Sequence, residues 1–106
     1  MLRSLWALLP FARYEVQGES MTPAVSAGER VFVSRAGYWF GAPQPGDLVV
    51  VRDPRAPERL LLKRIDRRAG DDAWFVLGDN PDASTDSRTF GPVTRAAILG
   101  KVWFRY

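Results

Sequence analysis

The chain has 106 residues, 46% of them hydrophobic and 25% charged, with a net charge of +3 and neither histidine nor cysteine. That length accommodates one domain, read here as residues 1–106, whose core needs no covalent staple. The composition excludes disulfides, cysteine nucleophiles, imidazole general bases and thiolate or histidine metal centres, so no metal or other cofactor is expected.

Residues 1–14 form a short apolar segment. Its eight-residue stretch Leu5 to Ala12, interrupted by Pro10, falls far short of the roughly 20 residues that a membrane-spanning helix needs. Leu2, Leu5, Trp6 and Leu9 follow the spacing of one helical face. A short helix or strand docked on the core is expected, and an interfacial anchor with Arg3 and Arg13 at lipid headgroups is the competing reading.

Gly18-Glu19-Ser20-Met21-Thr22-Pro23 follows, a loop by composition. Arg30 to Ser34 reads as a strand. Tyr38-Trp39-Phe40 is expected to pack in the core, with a membrane-dipping loop as the alternative. Pro43-Gln44-Pro45-Gly46 is a turn, and Asp47 to Arg52 after it reads as a buried strand. Further strands are expected over Leu60 to Asp66, Trp74 to Leu77, and Ile98 to Tyr106 with a glycine break at Gly100. Thr94 to Leu99 could form one helical turn. Several short strands punctuated by glycine and proline predict an all-β fold, a small β-barrel or sandwich of mainly antiparallel strands.

Without histidine, a nucleophilic serine needs another base, and a lysine with a lowered pKa is the remaining solution. Strand alternation places Leu61, Lys63 and Ile65 on one side, with Leu60, Leu62 and Arg64 on the other. A lysine flanked by aliphatic residues is poorly solvated, which favours the neutral amine a general base must be. Snorkelling of Lys63 to water from a strand edge is the plain alternative. The segment from Gly78-Asp79-Asn80 to Ser84, Asp86 and Arg88 is by itself good turn chemistry with a local ion pair.

In order and spacing these segments resemble the type I signal peptidases and their relatives, serine proteases with a serine–lysine dyad. The serine box is matched by Gly18 to Pro23, and the apolar run ending in Lys-Arg by Leu60 to Ile65. The Gly-Asp-Asn and Ser-x-Asp-Ser-Arg box is matched by Gly78 to Arg88, with Phe90-Gly91-Pro92-Val93 after it. Pro45 to Val50 looks like the family's turn and strand between the first two boxes. The resemblance runs over residues 16–102. It implies Ser20 as nucleophile, Lys63 as general base, Ser84 as the hydroxyl that orients the lysine, and Asp86 with Arg88 as the pair bracing the loop. It further implies the Ser20 backbone amide as an oxyanion donor and Met21 at the substrate cleft. Gly18 stands where some relatives carry a second, hydroxyl donor.

Only 19 residues precede Ser20 and 14 separate Lys63 from Gly78. The chain therefore looks like the family's compact branch, in particular the proteases that mature nickel-type superoxide dismutase by removing its leader. The expected partner is a protein precursor, not nucleic acid. The expected location is cytoplasmic, with a peripheral membrane contact and no transmembrane helix. A minimal membrane-associated signal peptidase is the nearest alternative. From another class, a small β-barrel could bind single-stranded nucleic acid through aromatics and arginines, although the positive residues are spread along the chain with no basic stripe.

Overall fold

A computed structural model describes residues 1–8, 11–38 and 41–106. Eight strands form one antiparallel sheet: β1 (Leu2–Leu8), β2 (Phe11–Val16), β3 (Arg30–Ser34), β4 (Leu48–Asp53), β5 (Ala56–Gly70), β6 (Ala73–Leu77), β7 (Val93–Thr94) and β8 (Ile98–Arg105). Their order across the sheet is β1-β2-β3-β8-β4-β5-β6-β7, and the sheet does not close into a barrel. The only α-helix among the described residues is the single turn α1 (Ser87–Phe90).

The continuous apolar runs Val49-Val50-Val51 and Leu61-Leu62 become legible once their neighbours are seen. Val50 and Leu62 pack with Tyr14, Val31 and Val33 on one face. Val49, Val51, Leu61 and Ile65 pack with Trp74 and Ile98 on the other. Strands covered on both faces do not alternate in polarity.

Residues 1–14 depart from the helical spacing. Leu2–Leu8 is extended and pairs with β2, Leu2 opposite Val16. Leu2, only 7% exposed, joins the core. The segment is thus docked as a strand: sheet pairing satisfies the backbone that a short isolated helix would expose. Leu9 and Pro10 lie outside the described residues, as do Trp39 and Phe40 of the aromatic run. Tyr38 is buried, and its hydroxyl donates to the Asp47 carboxylate.

The turn at residues 43–46 closes with the Asp47 amide donating to the Gln44 carbonyl, and Gly46 takes a positive φ of 92°. Gly100 does not break the last strand. A Cβ there would meet the Ser34 carbonyl oxygen and Val33 Cγ1 at 2.7 Å, so glycine lets β8 pass close to β3. The turn expected within residues 94–99 is present as a 3-10 turn, Arg95–Ala97.

Candidate active site

Three segments meet beside the middle of β5. Lys63 pairs opposite Val49, one pair in from the end of the β4–β5 ladder, and is only 3% exposed. Snorkelling is therefore ruled out for this lysine. Burial pushes its pKa down, against the negative charge of Asp86, which pulls the other way; the balance lies below the ordinary lysine value. Its Nζ donates to Ser84 Oγ at 3.1 Å. Ser84 Oγ in turn donates to Asp86 Oδ2 at 2.8 Å.

Asp86 is 1% exposed and anchors the loop. It accepts from the Gly78 amide at 2.8 Å and from the Arg88 guanidinium at 3.0 and 2.6 Å. It also caps α1 through the Arg88 amide. Burial alone would raise its pKa, but the Arg88 guanidinium and the Gly78 and Ser84 donors outweigh it and hold the carboxyl well below the usual range. The arrangement sets a direction. Ser84 uses its proton on Asp86, so its lone pairs face the lysine nitrogen.

Ser20 lies in the turn after β2, partly exposed. A cavity of about 310 Å³ is lined by Gln17, Ser20, Leu61, Lys63, Ala83 and Thr85 among others. Leu61 and Lys63 thus share a face, as alternation requires. Ser20 Oγ makes no hydrogen bond to a described residue, and neither does its backbone amide. Lys63 is bonded to Ser84 rather than to Ser20, an apo geometry that general bases commonly show before substrate tightens the site.

Met21 is placed away from that cavity. It is fully buried in the core with Val25 and Val31. Its sulfur accepts from the Asp79 amide at 3.4 Å. The residue after the serine therefore anchors the loop from beneath, where a long unbranched side chain fills an irregular gap.

The turn Gly78-Asp79-Asn80 does more than reverse the chain. The Asn80 amide donates to the Ser20 carbonyl at 2.8 Å, and its side chain donates to the Glu19 carbonyl and to Thr22 Oγ1. Asp79 receives a two-pronged bond from Arg64 at 2.9 and 2.8 Å, tying the turn to the residue after Lys63. A Cβ on Gly78 would stand 2.1 Å from Ser84 Oγ and 2.8 Å from the Ser20 carbonyl oxygen. Only glycine lets the serine loop and the Ser84 loop approach each other here. The sequence signal for this role was the Gly-Asp-Asn triplet itself, which local turn chemistry alone accounts for too cheaply.

The family model for signal peptidase, peptidase S26, matches residues 2–74 and 67–106. The chain is 38% identical to mitochondrial ATP-independent inner membrane protease subunit 1a of Arabidopsis thaliana, over 85% of this chain and 67% of that protein. It is 29% identical to mitochondrial inner membrane protease subunit 1 of Homo sapiens, over 83% and 64%. It is 27% identical to signal peptidase IB of Staphylococcus aureus (strain COL), over 88% and 76%. The chain spans about two thirds of the length of the mitochondrial relatives.

Proposed function

The chain belongs to the signal peptidase S26 family, and from that premise we propose that it is a serine endopeptidase removing N-terminal leaders from precursor proteins. The observation that carries the reading is Lys63: buried, depressed in pKa, held by Ser84, and sharing a cavity with Ser20. Neutral Lys63 takes the proton from Ser20 Oγ as that oxygen bonds to the scissile carbonyl carbon. The Ser20 backbone amide donates to the oxyanion, stabilising charge present only in the transition state. Gly18 has no side chain to add a second donor. Protonated Lys63 then passes its proton to the departing amine as the C–N bond breaks. A water, deprotonated by the same lysine, hydrolyses the acyl-enzyme and returns Ser20.

The finer reading is that the leader belongs to a nickel-type superoxide dismutase precursor. It is supported by the direct β5–β6 hairpin, in which the 14 residues between Lys63 and Gly78 leave no space for an inserted domain. A secretory preprotein is the competing substrate, supported by the signal peptidase relative. Incubating the protein with both precursors and reading the products by mass spectrometry decides between them. Cleavage of the dismutase leader, lost in Ser20→Ala, is expected. Cleavage of the preprotein alone transfers the assignment to a minimal signal peptidase. If neither is cut, with lipid present, leader removal fails for both substrates.

The relatives' names place them in a membrane, which favours membrane contact over a freely cytoplasmic location. No described helix is long and apolar enough to cross one. A contact surface is available on β2, β3 and β8, where Phe104 stacks on Phe32 at 5.0 Å and Trp103 meets Phe11 edge-on at 5.5 Å. Trp103 and Phe104 are 58% and 51% exposed. Aromatic side chains with one apolar end suit the headgroup boundary. In sedimentation with anionic vesicles the protein should pellet, and Trp103→Ser with Phe104→Ser should leave it in the supernatant. Wild type that stays in the supernatant removes the membrane contact.

A further inference from the structure

Building on the proteolytic reading, we propose that Arg59 makes the cavity select a substrate that carries a carboxylate side chain within about four residues of the scissile bond. Small apolar side chains would need only a plain apolar wall beside the dyad. This cavity is instead bordered by two arginines from the segment leading into Lys63, Arg55 and Arg59.

The two arginines are in different states. Arg55 is committed to Asp53, which it holds through Nε at 3.2 Å and through its terminal nitrogen at 3.0 Å, so its charge is neutralised internally. Arg59 is exposed and makes no hydrogen bond or ion pair with any described residue. The acid on the wall, Glu19, stands on the serine loop and is not paired with Arg59. Arg59 is thus the unpaired guanidinium on the β5 side of the cavity, while the Met1 ammonium, which also borders it, donates to the Gln17 carbonyl at 2.9 Å.

Position fixes where the ligand's charge must fall. Arg59, Leu61 and Lys63 are spaced two apart on one strand and line the same cavity. At about 3.3 Å per residue, Arg59 and Lys63 stand roughly 13 Å apart along β5, the reach of about four extended substrate residues. A peptide with its scissile carbonyl at Ser20 therefore presents one of its near neighbours to the Arg59 guanidinium. A planar guanidinium pairs best with a carboxylate.

The test separates this preference from turnover. Fluorescein-labelled, alanine-rich decapeptides carry a single Glu or Gln at each position in turn, and their affinity for the Ser20→Ala protein is read by anisotropy. At one position Glu should bind roughly three- to tenfold tighter than Gln, as expected for a partly exposed charge-assisted pair. The ratio should shrink with added salt, collapse to one in Ser20→Ala/Arg59→Gln, and turn in favour of Lys peptides in Ser20→Ala/Arg59→Glu. A Glu-to-Gln ratio near one at every position, or one that survives Arg59→Gln, overturns the proposal. Cleavage of the same peptides by the wild-type protein reports separately on proteolysis. Preference without cleavage retires the proteolytic reading and keeps the cavity preference, and cleavage without preference does the reverse.

Discussion

Ser20→Ala and Lys63→Met are each expected to lower kcat/KM for the precursor by about 10⁴-fold or more, with circular dichroism unchanged. The double substitution should be no worse than either single one, because nucleophile and base act as one unit. Stability should move differently in the two variants. Ser20 is partly exposed, so its loss should be nearly neutral. Lys63 is 3% exposed, and replacing a buried ionisable amine by an apolar chain of similar size commonly stabilises, here by roughly 1 kcal/mol or about 5 °C in Tm. A dead enzyme with a raised melting temperature would identify Lys63 as a residue kept for chemistry against the interest of the fold. A Lys63→Met protein that still cleaves would end the dyad.

The pH dependence follows from the same lysine. Its folded pKa lies below the ordinary value, chiefly through burial. Activity should rise with pH through that lowered value, since the neutral amine is the working form. Stability should also rise with pH between the lowered folded value and the unfolded value near 10.4, because the unfolded chain binds more protons in that window. Both limbs belong to Lys63, so Lys63→Met should flatten the stability limb while removing activity altogether.

Much of this was legible in the chain, and the reasons differ by element. Arg30–Ser34 was readable to the residue because its β-branched and aromatic residues follow the turn signal at Gly28-Glu29. β2 was readable in principle from Ala12, Tyr14 and Val16 alternating with Arg13 and Glu15, but the leucines before it suggested a helical face. β5 runs from Ala56 to Gly70, well past the apolar run, because its ends are held by ladder bonds to β4 and β6 while their side chains stay in water. Apolar pattern cannot report such pairing. At the site, the resemblance to the signal peptidases paired Ser84 with Lys63, and the hydrogen bond between them is present. The burial of Met21 was not readable, since only the fold reveals that the Asp79 amide and the core lie beneath the serine loop. Arg59 was equally silent in sequence, one exposed arginine among many until the cavity is drawn around it.

Asp86→Asn should be the costliest single change outside the dyad, in stability and in rate together. The carboxylate is 1% exposed and serves the Gly78 amide, Ser84 and Arg88 at once. An amide supplies one oxygen for two and turns an N–H toward donors, so about 3 kcal/mol of stability should be lost. Arg88, 47% exposed, can return to water and sets the ceiling on that loss. Asp86 has a folded pKa below its unfolded one. Its contribution is therefore present above the unfolded value near 3.9 and disappears as pH falls through the folded value, so Asp86→Asn should narrow the wild-type advantage in acid melts. Two opposed effects act on rate. Losing the negative charge lowers the Lys63 pKa further and moves the pH–rate limb to lower pH. Losing the acceptor also frees the Ser84 proton to bind the lysine lone pair, which withdraws the base from Ser20. A limb shifted to lower pH with a reduced plateau is the expected signature, whereas a merely structural role would lower the plateau and leave the limb where it was.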